Sequence, residues 1–188
     1  TIDSFCYQEL IIPFISKVWG GNPRECTVVK KLSNEQAGLF GGAYSSPNIR
    51  ELDEDIGFKQ LYLQNTLWMS SFSALAVLIL RESLAAQNYI VAKYTHVFMD
   101  EYQDSSETQH DLFLSLKSLG LVATAVGDTD QSIFKFRGSC PELLNSLVNS
   151  PGFKHIHLDE NHRCHPSITN YANRLLDPNC NLLVTDNI

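Results

Sequence analysis

The chain has 188 residues, 44% of them apolar and 19% charged, which suits one sizeable hydrophobic core or a core with a small appendage. Its net charge of −7 argues against a polyanion-binding surface spread over the whole chain, so any nucleic-acid contact is expected to be local or to rely on parts not present in this sequence. No apolar run approaches the roughly 20 residues of a membrane span, and the amino terminus has no basic region ahead of an apolar one, so the expectation is a cytoplasmic protein with no membrane contact.

Taken in order, Ile2, Phe5, Cys6, Leu10, Pro13, Phe14 and Val18 recur at helical spacing and predict a helix from about Ser4 to Lys17, capped by Ser4 and kinked or split at Pro13. Gly20, Gly21, Asn22 and Pro23 mark a loop, and Thr27 to Leu32 a short strand. Ala37 to Asp55, rich in Gly and Ser and ending in the acidic run ELDED, reads as a linker or insertion with a solvated acidic face. From Phe58 to Gln87 the spacing predicts two helices meeting near Ser70 and Ser71, with Leu75, Leu78, Ile79 and Leu84 facing a core.

Tyr94 to Asp100 reads as a buried strand, Ser105 to Leu119 as a helix stopped by Gly120, and Leu121 to Val126 as a second strand. Strand, helix and strand within about 30 residues make a βαβ unit with parallel strands. A turn at Gly127 to Gln131 follows, then a helix starting near Pro141, a strand at His155 to Leu158 and a helix at Pro166 to Leu176. The five scattered cysteines form no CxxC pair and suggest neither a disulfide framework nor a zinc ribbon.

Both strands of the βαβ unit end in acidic residues, at the sheet edge where nucleotides usually bind. Phosphoryl transfer needs one carboxylate to hold Mg²⁺ through its water shell and a second to orient or deprotonate water. Asp100 and Glu101 supply that pair, with Gln103 and Asp104 in the turn beyond. Asp128, Asp130 and Gln131 follow the second strand, and a neutral amide such as Gln131 can bond a terminal phosphate without adding charge. Phe134, Lys135, Phe136 and Arg137 interleave aromatic and cationic side chains, a combination that stacks bases along a single strand. Arg163, between a strand and a helix, is placed to reach a phosphate as a bidentate donor. His155, His157, His162, Cys164 and His165 are permissive for zinc by composition, but no second ligand pair sits at finger-like spacing.

These residues resemble the superfamily 1 DNA helicases of the UvrD, Rep and PcrA type. DEYQD is similar to their Walker B motif, VGDTDQSIFKFRGS to motif III, LDENHRCHPSITNYAN to motif IV and TIDSFC to the segment bordering the single-strand groove. The short insertion, with SLAAQNYIVAKYTHVFMDEYQDS and the FKFRGSCPE region, resembles more narrowly the helicase-like subunits of Gabija anti-phage systems, which implies an OLD-family nuclease subunit, Gabija protein A, as partner.

The resemblance implies an α/β fold that is part of a RecA-like parallel-sheet motor domain (1A) with a small helical insertion (1B). Residues 1–34 would be a partial domain 1A bearing the DNA-groove segment, 35–93 the reduced insertion, and 94–188 the 1A core. It further implies ATP and Mg²⁺ as cofactors, DNA as partner, Asp100 as the Mg²⁺ residue and Glu101 as the water-activating base. Gln131 would sense the γ-phosphate, Arg163 would be an arginine finger, and Gln103, Asp104, Asp128 and Arg137 would couple the motifs. Phe136 takes the place of a base-stacking tryptophan, and Thr1 and Asp3 would lie near DNA. The chain departs from the family in having no GxxxxGK[ST] loop and no motif V or VI, and Asp3 stands where the family has histidine. The expectation is a portion of an ATP-dependent DNA helicase that is inactive alone, the alternative being an inactive DNA sensor that docks on and licenses a nuclease.

Overall fold

The computed structural model describes residues 1–132, 140, 142–158 and 160–180. They fall into two compact units, Thr1–Gly152 and Phe153–Ile188.

The first unit begins with α1 (Ile2–Phe5), a π-helical segment (Cys6–Ile11) and α2 (Ile12–Trp19), which run on without a break. The cap is Thr1, whose Oγ1 accepts from the Ser4 amide at 3.2 Å, and Ser4 lies inside the helix. The break expected at Pro13 is absent. Immediately before it the helix widens, with the Ile12 N–H bonded to the Tyr7 carbonyl five residues back. A wider turn accommodates a ring that lacks an N–H and would crowd the carbonyl four residues earlier. Gly20 and Gly21, with φ of 78° and 68°, then reverse the chain in a conformation that other residues rarely adopt.

Strand β1 (Thr27–Val29) stops before Lys30, shorter than expected. The following segment is ordered into α3 (Asn34–Ala37) and α4 (Ile49–Glu54), each opened by a reciprocal capping box. The acidic run is therefore only partly a solvated face. Leu52 is buried, Asp53 pairs with Arg81, and Asp55 accepts from Gly41 and Gly57 amides and from the Tyr44 hydroxyl.

The two helices expected from Phe58 to Gln87 are instead α5 (Gly57–Leu63), β2 (Thr66–Trp68), α6 (Phe72–Glu82) and α7 (Leu84–Lys93). Strand β2 pairs parallel with β1, Thr27 opposite Thr66 and Val29 opposite Trp68. Helix α6 is buried on almost every side, from Phe72 to Leu80, as expected of a helix with little polar surface. It packs on the π-helical segment, on α4 and on the helix that follows the next strand. Leu75, Leu78 and Ile79 are in the core, but Leu84 is 69% exposed because it opens α7 after the sharp bend at Ser83.

The βαβ unit comprises β3 (His96–Met99), α8 (Glu107–Ser118) and β4 (Val122–Ala125). The strands are parallel, with His96 opposite Val122 and Met99 opposite Ala125. Ser106 caps α8, and Leu112, Phe113 and Leu116 form its buried stripe. Strand β3 is not buried on both faces as expected, since Phe98 is 73% exposed while Met99 faces inward. Helix α9 (Glu142–Val148) completes the unit.

In the second unit, His155 to Leu158 forms no strand, and Ile156 and Leu158 are 67% and 85% exposed. A strand exists through its ladder partners, and among the described residues this segment has none. Helix α10 (Pro166–Leu176) starts on its proline as expected. Among the described residues no single helix is long and apolar enough to cross a membrane.

Candidate nucleotide-facing site

The site lies where β3 and β4 end. The ladder continues past the strands, with the Val126 N–H bonded to the Met99 carbonyl and the Tyr102 N–H to the Val126 carbonyl, both at 2.9 Å. These bonds fix the Asp100–Asp104 turn against the segment after β4. Glu101 is forced into the left-handed region at φ 52°, a cost of about 1–2 kcal/mol for a residue with a Cβ. Its neighbours on both sides are anchored, so the strain is held by the surrounding structure.

Asp100 is exposed at the strand end, with Oδ1 accepting the Glu101 N–H at 2.9 Å. Gln103 is 1% exposed and bridges the two turns. Its Nε2 donates to Glu101 Oε2 at 2.7 Å, and its Oε1 accepts the Asp128 N–H at 3.0 Å. Asp128 Oδ2 in turn accepts from Gln131 Nε2 at 2.7 Å, and its Oδ1 caps the turn through the Asp130 N–H. Glu101, Gln103, Asp128 and Gln131 therefore form one continuous hydrogen-bonded chain. It carries the carboxylate on one turn to the amide on the other. Asp104 belongs to the same turn, its N–H bonded to the Glu101 carbonyl, and its Oδ1 is buried with no hydrogen-bond partner among the described residues.

Three residues behind this chain, Gly127, Tyr102 and His110, are not among the sequence-predicted site residues. Gly127 has an ordinary φ, yet a Cβ there would meet Gln103 Oε1 at 2.6 Å and the Tyr102 nitrogen at 3.1 Å. A glycine just after a strand is the signal that could have identified this close approach. Tyr102 is fully buried beneath Glu101, and its hydroxyl meets His110 Nδ1 at 2.7 Å. Burial pushes the Tyr102 phenol up and the His110 imidazole down, so the pair is neutral at pH 7. Sequence offered no signal for it beyond the eight-residue separation.

Thr1 and Asp100 line a common cleft of about 420 Å³ with Phe5, Tyr94 and Phe98. Asp3 is half-buried in the first helical turn, and burial raises its carboxyl. The adjacent Cys6 thiol, fully buried, is pushed up to about 12 and is no reactive thiolate. Phe134, Phe136 and Arg137 lie outside the described residues.

In the second unit Arg163 is exposed in a turn built by Asn161, whose Oδ1 accepts the N–H groups of Arg163 at 3.2 Å and Cys164 at 3.0 Å. Asn161 Nδ2 also reaches Thr169 Oγ1 at 2.8 Å, fixing the turn to the first turns of α10. Among the described residues no group of three or more His, Cys, Asp or Glu side chains is placed to hold a metal ion. A single exposed carboxylate such as Asp100 does fit Mg²⁺, which keeps most of its waters and takes one or two protein carboxylates.

Acidic and amide side chains are gathered at the carboxyl ends of two parallel strands of an α/β domain. The chain belongs to the UvrD/Rep helicase family: residues 28–151 match the family model for the UvrD/REP helicase N-terminal domain. It is 38% identical over 181 residues to Gabija protein GajB of Bacillus cereus (strain VD045), covering 92% of this chain and 34% of that protein. It is 31% identical over 135 residues to the ATP-dependent DNA helicase Rep of Buchnera aphidicola subsp. Schizaphis graminum (strain Sg), covering 68% of this chain and 20% of that protein. With Rep of Escherichia coli (strain K12) it shares 33% over 116 residues, or 61% and 17%. The chain thus spans about a third or less of the length of these relatives.

Proposed function

We propose that this chain is the nucleotide-facing part of an ATP-dependent DNA helicase, and that its parent is the helicase subunit of a Gabija-type anti-phage system. Residues 1–34 and 94–188 are assigned to a RecA-like motor domain 1A and 35–93 to a reduced 1B insertion. The observation that carries this reading is the chain Glu101–Gln103–Asp128–Gln131, which ties a water-activating carboxylate to a phosphate-sensing amide.

In this reading Glu101 takes a proton from the attacking water, and Gln131 changes its bond to Asp128 when a γ-phosphate arrives. Gln103 transmits that change to Glu101. Asp100 would hold Mg²⁺, and the ion would supply neutralisation of phosphate charge. Asp104 adds coupling from the same turn. Arg163 serves as an arginine finger, Phe136 stacks a base with Arg137 beside it, and Thr1 and Asp3 border the DNA strand. The partner is DNA, with an OLD-family nuclease subunit, Gabija protein A, and the location is cytoplasmic.

The test is Glu101→Gln in the full-length parent. ATP binding is expected to persist while hydrolysis falls by about the 10²–10⁴-fold that a general base contributes. Unchanged hydrolysis refutes the assignment. DNA that binds without stimulating hydrolysis in the unsubstituted parent favours the sensor alternative.

A further inference from the structure

Glu101 is exposed while Tyr102 beside it is fully buried, and the left-handed backbone of Glu101 makes the step between them. Tyr102 is held at four points. Its N–H is bonded to the Val126 carbonyl at 2.9 Å, and its carbonyl accepts the Ser105 N–H at 3.1 Å. Its ring lies edge-on to Phe113 with centroids 5.2 Å apart, and its hydroxyl meets His110 Nδ1 at 2.7 Å. The first three contacts are open to any aromatic residue. The fourth needs a hydroxyl here and a polar partner on α8.

Helix α8 is a rigid support for that bond. It opens on the Ser106 and Gln109 capping box, and Thr108, 3% exposed, donates its hydroxyl to the carbonyl of the fully buried Pro47 at 3.2 Å. His110 lies half-buried in the first turns of this helix, its ring nearly perpendicular to that of Tyr102 at 76°. A hydrogen bond fixes direction as well as distance, so this one sets where the Tyr102 side chain sits. With Tyr102 fixed at backbone and side chain, Glu101 has little freedom to leave its strained conformation. Its carboxylate stays where Oε2 accepts from Gln103 Nε2 at 2.7 Å.

We propose that His110 is a positioning residue for Glu101: acting through the Tyr102 hydroxyl, it holds Glu101 in its left-handed conformation and so orients the carboxylate towards the attacking water. The inference rests on the reading of Glu101 as the base that activates that water. His110 itself touches no reacting group. Because Glu101 meets the water and not the nucleotide, its misplacement lowers kcat and leaves KM for ATP unchanged.

Tyr102→Phe and His110→Ala are made in the full-length parent, singly and together, and assayed as folded protein. Each single variant is expected to lower kcat for ATP hydrolysis by about 10- to 100-fold, a misplacement of about 1 Å being enough to cost about 10²-fold, with KM for ATP unchanged. The double variant is expected to be no slower than the slower single variant, because both substitutions remove the same bond. Unchanged kcat in the single variants, an effect confined to KM, or losses that multiply in the double variant overturn the proposal. If Glu101→Gln leaves hydrolysis unchanged, it is the reading of Glu101 as the base that fails, and the positioning is decided on the turn itself. The Gln103 side-chain amide signal, assigned by its loss in Gln103→Ala, is followed by NMR in this chain. It is expected to move towards the position of a solvent-exposed amide in both Tyr102→Phe and His110→Ala, and an unmoved signal overturns the proposal.

Discussion

Gly127→Ala offers the sharpest test of how the two turns are joined. The added Cβ would lie 2.6 Å from Gln103 Oε1, 3.0 Å from Leu144 Cδ2 and 3.1 Å from the Tyr102 backbone nitrogen. The leucine methyl can yield, but the Tyr102 nitrogen is pinned by its bond to the Val126 carbonyl. Gln103 therefore has to move, and its acceptor bond from the Asp128 N–H is lost with it. Overpacking costs about 1–3 kcal/mol and a neutral hydrogen bond about 0.5–1.5, so the variant should lose about 2–4 kcal/mol. With a urea slope of about 2 kcal/mol per molar, the unfolding midpoint should fall by about 1–2 M. In a Gln103→Ala background the clash partner is gone, and Gly127→Ala should cost about 1 kcal/mol less or better. A midpoint within about 0.3 M of the parent, or strict additivity of the two substitutions, refutes the steric account.

Three further outcomes follow from the packing. His110 is held below its ordinary value of 6.5 by burial, so the folded chain resists a proton that the unfolded chain accepts. Its contribution is fully present above pH 6.5 and is lost as pH falls through 6.5 towards the lower folded value; His110→Gln should flatten that slope in denaturation series between pH 7 and 5. Asp53→Asn removes the bidentate pair with Arg81, whose side chains are 42% and 44% exposed, and calorimetry should show a loss of about 1 kcal/mol at most that shrinks with salt. Ile79→Ala should cost about 2–5 kcal/mol, whereas Leu84→Ala, at a position 69% exposed, should change the unfolding free energy by no more than about 0.5 kcal/mol, both read from urea denaturation.

Local signals served where the chain's neighbours in sequence are its neighbours in space. The βαβ unit was legible from two apolar runs around a capped helix because the capping box at Ser106 and Gln109 and the stop at Gly120, with φ of 101°, act within a few residues. Asp100, Glu101, Asp128 and Gln131 could be assigned to one sheet edge on the same ground, since parallel strands deliver their carboxyl ends to one side.

What the sequence could not carry depends on distant partners. Thr66–Trp68 reads as part of a helical run until β1 pairs with it from nearly forty residues away, and His155–Leu158 reads as a strand although no described neighbour forms its ladder. Leu84 has the same spacing as core residues, and only the bend at Ser83 turns it to solvent. The family was fixed by residue identity along the chain alone. Which atoms of Gln103 meet Glu101 and Asp128, and why residue 127 has room for no Cβ, was decided by tertiary packing, because hydrogen bonds and steric contacts depend on distances that sequence spacing does not set.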